Sequence, residues 1–113
     1  MNCEQTVCER IYNLAMDFIA EDDNDDFKAR CVNFINAFAV EHAVGEYESV
    51  TNLSDPFPLP QRFSTACALY IAAALVENEN REMAIRLTDK YKESIKQIKS
   101  EIPAIVERIT EVY

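Results

Sequence analysis

The stretch "DPFPLPQRFSTACALYIAAALV", residues 55–76, decides the fold that the sequence predicts. Three of the chain's four prolines stand at alternate positions in its first half, and the most apolar run of the protein, residues 66–76, follows them. This run is too short to span a bilayer, which needs about 20 apolar residues. A helix that is apolar nearly all round is typical of a position buried on more than one side. Residues 60–77 are therefore predicted to form the central helix.

The prolines give this helix a defined beginning. Pro60 is expected in its first turn, where the missing N–H is not needed and φ is already helical. Pro56 and Pro58 disfavour helix in the residues before them and keep the approach extended. Phe57 and Leu59 then fall on the same side of the segment, and we expect at least one of them to pack on the core. We interpret the segment as a rigid hinge.

Apolar residues at three- and four-residue spacing predict three further helices, over residues 4–21, 25–44 and 81–102. A single glycine and plentiful alanine also favour helices over a turn-rich β fold. An unbroken helix over residues 60–102 is the alternative to separate third and fourth helices. The prediction is an all-α, four-helix bundle-like fold in a single domain, because 113 residues is a length typical of one domain.

Short polar residues mark the predicted helix ends. Asn24 or Asp25 is expected to cap the second helix, because a side-chain oxygen can accept a free N–H of the first turn. In the turn before the fourth helix, Asn78 or Asn80 is expected to adopt left-handed geometry or to cap that helix. Gly45 stands where the end of the second helix favours a residue with positive φ.

Two segments lack a helical pattern. Residues 46–58 are predicted to form a long middle loop, and long loops often contact partners. Residues 103–113 begin with a helix-breaking proline and are rich in β-branched residues, which predicts an extended C-terminal arm. Such an arm could pair with a neighbouring chain. The candidate protein-interface residues are Phe57, Leu59, Ile109, Val112 and Tyr113.

The net charge of −9 is unevenly distributed. Residues 1–26 carry eight acids and one base, whereas residues 61–113 carry eight of each. Phosphate backbones and anionic membranes are bound through Lys and Arg, so we expect neither sequence-specific nucleic-acid binding nor membrane binding. An acidic surface suits a basic patch on a partner protein. The basic outer surface of the fourth helix is interpreted as a solvated face, with pairing to an acidic first helix as the alternative.

No motif indicates catalysis or a bound group. The chain has no G-x-S-x-G motif and no glycine-rich phosphate loop, so we expect no enzyme activity and no cofactor. The acidic run at residues 21–27 fails as a calcium loop, because Phe27 and Asn33 stand where an EF-hand needs Gly and Glu. His42, the only histidine, is expected to contact the last carbonyls of its helix or to be exposed.

The four cysteines are interpreted as reduced thiols. The N-terminal sequence "MNCEQTVCER" lacks the basic and apolar regions of a signal peptide, so we expect a protein that is not secreted. Cys8, Cys31 and Cys67 lie among apolar residues at helical spacing and are predicted to be small buried hydrophobes.

Taken together, the segments "EDDNDDFKARCVNFINAF" (21–38), "PLPQRF" (58–63), "LTDKYKESI" (87–95) and "ITEVY" (109–113) resemble the small head–tail connectors, or adaptors, of tailed phages and prophages. The resemblance covers about residues 5–113 and consists of patterns of apolar and small residues.

The resemblance implies a non-enzymatic virion assembly protein. Subunits of that family form a homo-oligomeric ring between portal and tail and contact the portal and tail-side proteins. The chain would then reside in the virion and, during assembly, in the host cytoplasm. Two other classes remain open, a small acidic inhibitor that mimics DNA and a generic helical protein-interaction module.

Overall fold

A computed structural model describes residues 7–22, 24–43 and 45–101. Within that part of the chain the fold is all-α, as predicted, and its helices are α1, Cys8–Ile19; α2, Asp25–His42; α3, Ser64–Val76; and α4, Arg81–Glu101. Helix α3 contacts each of the other three helices, so it occupies the centre of a four-helix arrangement.

Helix α1 begins at Cys8, later than the predicted start at residue 4. The preceding residue, Val7, is extended with φ −88° and ψ 142°, and it forms an isolated antiparallel bridge with Pro56. The apolar spacing continues across this boundary, so periodicity could not reveal that a distant segment of the chain holds Val7 extended.

Helix α1 ends in an unusual residue. Ala20 adopts the left-handed conformation with φ 54° and ψ 45°. The N–H groups of Ala20 and Glu21 donate to the carbonyls of Asp17 and Met16, at 3.2 and 3.0 Å. This is the helix-closing pattern in which glycine is the usual residue, because glycine has no Cβ to strain.

Helix α2 begins at the predicted cap. The Asn24 side chain accepts the N–H of Phe27, which satisfies one donor of the first turn. The backbone N–H of Asn24 donates to the hydroxyl of the buried Tyr12 at 2.9 Å, and this bond ties the start of α2 to α1. The predicted positive φ of Gly45 is confirmed at 93°.

Helix α3 is preceded by a short 3₁₀ turn, Gln61–Phe63, so the predicted helical start at Pro60 is wrong. Pro60 has φ −58°, as its ring requires, but its ψ of 152° is extended. The ring fixes φ and leaves ψ free, so a proline can stand just outside a helix as readily as in its first turn. The Pro60 carbonyl accepts the N–H of Phe63 at 3.0 Å and starts the 3₁₀ turn.

Helix α3 is buried on almost every side, which confirms its predicted central position. Its buried residues are Ala66, Cys67, Ala68, Leu69, Ile71, Ala72, Ala73, Leu75 and Val76. The many alanines allow neighbouring helix backbones to approach closely.

Helices α3 and α4 are separate, so the alternative of one unbroken helix is wrong. The N–H groups of Glu79 and Asn80 donate to the carbonyl of Val76, which closes α3. The Asn80 side chain then accepts the N–H of Met83 at 3.0 Å and caps α4, as predicted for this residue. The predicted C-terminal arm, residues 103–113, lies outside the described residues.

Candidate functional site

The middle segment, residues 46–58, packs against the helices. Val50 and Phe57 are buried, Phe57 without any exposed surface, and the adjoining Leu59 is 8% exposed. The prediction that at least one of Phe57 and Leu59 anchors the segment on the core is confirmed. Full burial of such a side chain contributes about 1.5–3 kcal/mol. Their predicted role as interface residues stays a prediction, and it requires an exposure that these side chains lack in the folded chain.

The middle segment also supplies the cap of α1. The N–H of Cys8 donates to the Asp55 carbonyl at 3.0 Å, and the N–H of Glu9 donates to the Leu53 carbonyl at 2.8 Å. The first N–H groups of a helix have no partner within it, and Val7 offers no side-chain cap. Segment and helix are therefore coupled through their backbones.

Asn36 of α2 clamps the other end of the segment. Its Nδ2 group donates to the Val50 carbonyl at 2.9 Å, and its Oδ1 accepts the Val50 N–H at 2.8 Å. One side-chain amide thus satisfies both backbone groups of a buried residue, as a neighbouring β-strand would. We call this pair of bonds the amide clamp.

Within the segment, Asp55 closes a turn. Its Oδ2 accepts the N–H and the hydroxyl of Thr51, at 2.8 and 2.9 Å, and the N–H of Asn52 at 3.2 Å. These bonds favour the charged carboxylate and hold the pKa of Asp55 below its usual value. The carboxylate therefore serves the shape of the turn.

A groove of about 520 Å³ opens beside the proline segment, where the ends of α2 and α4 meet. Apolar side chains and both signs of charge line it: Glu41, His42, Ala43, Glu46, Tyr47, Pro58, Leu59, Pro60, Arg62, Phe63 and Lys99. We call it the proline groove.

A histidine–tyrosine–glutamate cluster joins α2 to α4 at this groove. The His42 Nε2 and Tyr91 Oη atoms lie 2.8 Å apart, and the Tyr91 hydroxyl donates to Glu41 Oε1 at 3.1 Å. The His42 side chain is only 8% exposed. The prediction that His42 contacts the helix-end carbonyls or solvent is therefore wrong, because its ring points to a tyrosine 49 residues away in the sequence.

The imidazole and the phenol of this cluster are held in their neutral forms. Burial lowers the pKa of His42, although Glu41 opposes that effect. Burial raises the pKa of Tyr91, and its hydrogen bond to Glu41 acts in the same direction. An uncharged imidazole beside a protonated phenol is a stable hydrogen-bonding pair, whereas a nucleophile or base would need one of these pKa values to move toward neutrality. The cluster therefore acts as a link between two helices.

Aromatic rings surround this link. The Phe38 ring lies 4.5 Å from the His42 ring and 6.1 Å from the Tyr91 ring, between centroids. Further ring contacts place Phe63 and Tyr70 in the same cluster. The burial that shifts the pKa values of His42 and Tyr91 is thus created by one aromatic core.

The three described thiols are buried and free, as predicted. Burial raises the pKa of Cys8 to about 11 and that of Cys31 to about 12, and it raises the pKa of Cys67 as well. The thiolate is the reactive form of cysteine, so these side chains behave as small apolar groups.

Four other features considered from the sequence are the C-terminal interface residues, a metal site, the basic surface of α4 and a membrane span. Ile109, Val112 and Tyr113 lie outside the described residues. Within the described residues, no group of three or more His, Cys, Asp or Glu is placed to hold a metal ion. The basic residues of α4 are exposed: Arg81, Arg86, Lys90, Lys92, Lys96 and Lys99. None of the described helices has the length and hydropathy needed to cross a membrane.

Sequence reasoning missed the amide clamp and the link between His42 and Tyr91. The available signals were faint: Asn36 is a polar residue directly after the core residue Ile35, and Tyr91 lies on the apolar side of α4. Neither signal identifies a partner.

The chain was compared with protein-family models, with curated proteins and with solved structures, and none of them matches it.

Proposed function

We propose that the chain is a non-enzymatic assembly protein, a head–tail connector that forms a ring between the portal and the tail of a phage particle. The proposal rests on the resemblance of residues 5–113 to that family. The feature of the fold that supports it best is the proline segment, which is anchored in the core and leads directly into the central helix α3. A subunit that acts through fixed surfaces needs such a rigid frame.

The polar groups of the structure support a role without catalysis. His42 at the proline groove is neutral and hydrogen-bonded to Tyr91, and the described thiols are buried. The groups with the chemistry for acid–base or nucleophilic work are therefore used inside the fold.

A closed ring requires two different surfaces on each subunit, because each copy meets one neighbour on either side. Two large apolar side chains are exposed on different helices, Val40 of α2 at 72% and Ile85 of α4 at 54%. We propose that these helices contribute to the two subunit contacts. The portal and the tail-side proteins would then meet other faces, and the chain would reside in the virion.

Light scattering on the purified protein tests the proposal, alone at high concentration and mixed with the portal protein of the same genome. We expect an assembly of ring-like mass in at least one of the two samples. Val40→Asp and Ile85→Asp should each reduce it, since a charge at a packed apolar contact is costly. Ala29→Asp, an exposed position near the start of α2, is the matched control and should assemble normally.

A strictly monomeric protein in both samples would contradict the connector function. The position of the gene gives an independent check. Genes for portal, capsid and tail proteins on either side would support the proposal, whereas a location away from virion genes would favour a generic helical interaction module.

A further inference from the structure

We propose that the proline groove is the docking site for residues 103–113 of the same chain. The described part of α4 ends beside the groove. Lys99 lines the groove, and the described part of the helix ends two residues later at Glu101. The segment that follows therefore starts at the rim of the groove.

The length of the segment suits the site. Eleven residues reach at most about 36–40 Å when extended, at ~3.3–3.6 Å per residue, so the segment can cover the groove with residues to spare. A tether this short also holds its ligand at an effective concentration of about millimolar. The segment of the same chain therefore outcompetes the segment of a second copy at ordinary protein concentrations.

The chemistry of groove and segment is complementary. The groove presents apolar surface from the half-buried Ala43, Tyr47 and Pro58 and the exposed Pro60, above the buried Leu59 and Phe63. The segment supplies apolar side chains in return: Ile105, Val106, Ile109, Val112 and Tyr113.

Charges can also pair across the site. Arg62 and Lys99 line the groove beside the acidic Glu41 and Glu46. The segment carries Glu107, Arg108 and Glu111. Both signs of charge on the segment thus have an opposite partner at the rim.

Docking of the segment takes place within a single subunit and does not depend on the connector function. A chain with no virion role could dock its segment in the same way, and a connector could leave the groove open. The experiment below measures only where the segment lies, so its outcome and that of the ring assay are independent.

Disulfide trapping in the full chain tests the docking. Glu46→Cys at the groove is paired with Thr110→Cys or with Tyr113→Cys in the segment, in a Cys3→Ser background and with oxidised glutathione as oxidant. The native buried thiols do not compete. The matched control pairs the same segment positions with Glu93→Cys, an exposed glutamate of α4 that does not line the groove. That position is about 12 Å from Glu101 at 1.5 Å per residue, well within reach of a free tether, so its rate measures tethering alone.

We expect a disulfide within one chain to form at least about tenfold faster at the groove than at the control position, for one or both segment positions. Mass spectrometry identifies the linked peptides, and a non-reducing gel separates monomer from dimer. Equal rates at groove and control would overturn the inference, because they describe a segment that is tethered but not docked. Disulfides between two chains would overturn it in favour of a second copy as the occupant.

Discussion

Replacing Asn36 by alanine removes the amide clamp from the buried backbone of Val50. The two bonds, at 2.8 and 2.9 Å, contribute about 0.5–1.5 kcal/mol each, and a buried group left without a partner costs about 1–3 kcal/mol. Because water can reach part of this site once the side chain is gone, we expect the free energy of unfolding to fall by about 2–4 kcal/mol. At roughly 4 °C per kcal/mol for a chain of this size, the Tm falls by about 8–16 °C.

Urea and thermal unfolding followed by far-UV circular dichroism measure this loss. Asn36→Asp should destabilise at least as much as Asn36→Ala at neutral pH, because its carboxylate still accepts the Val50 N–H but brings a charged oxygen against the Val50 carbonyl in a half-buried site. Asn33→Ala, an exposed position on the same helix, is the control and should change stability by no more than about 0.5 kcal/mol. If Asn36→Ala behaved like Asn33→Ala, the middle segment would not be held to the core as the structure describes.

Three further predictions concern a helix end, an ionisable group and the thiols. Ala20→Gly should raise the free energy of unfolding in urea by about 0.5–1 kcal/mol, because it relieves the strain of the left-handed conformation. The control Ala29→Gly, inside α2, should lower it by about 1 kcal/mol. If both variants were destabilised, Ala20 would not be strained. The lowered pKa of His42 means that the unfolded chain binds a proton at a higher pH than the folded chain. The free energy of unfolding should therefore fall as the pH drops below about 6.5, and His42→Gln should remove this dependence on pH. If the variant showed the same pH dependence as the wild type, His42 would not be its source. In a Cys3→Ser background, the three buried thiols should react with an aromatic disulfide reagent only at the rate of unfolding, and rapid labelling of the native variant would contradict their burial.

Local signals in the sequence were sufficient for the helices. The caps at Asn24 and Asn80 depend on a side chain and a backbone group three residues apart, so the sequence alone reveals them. The burial of α3 likewise follows from its own composition. The positive φ of Gly45 was also predicted, but its role in closing α2 was not correct, because α2 ends at His42, before the predicted residue 44, and the extended Ala43 follows it.

Contacts between distant segments could not be predicted. Val7 is extended because residues near Pro56 pair with it, although the apolar spacing of α1 continues through it. His42 lies in the core because Tyr91, on another helix, presents a hydroxyl at hydrogen-bonding distance. A single sequence carries no record of such pairs. Periodicity therefore predicted a helical Val7, and the position of His42 near a helix end predicted contact with the last carbonyls or with solvent.

The same reason explains how the middle segment was interpreted. Its irregular sequence predicted a long, partner-facing loop, yet Phe57, Val50 and its own carbonyls bind it to the core and to α1. The burial of Val50 and Phe57 concerns only the inner side of the segment, whose other residues are mostly exposed. Its contact with a partner therefore stays a prediction.

The most direct test of the proposed function is to locate the protein in phage particles released from the host that carries the gene. Quantitative mass spectrometry gives its copy number, and a gold-labelled affinity tag viewed by electron microscopy gives its position. The connector function predicts several copies per particle, all at the single vertex where head and tail join. Purified, tailed particles that lack the chain would contradict it.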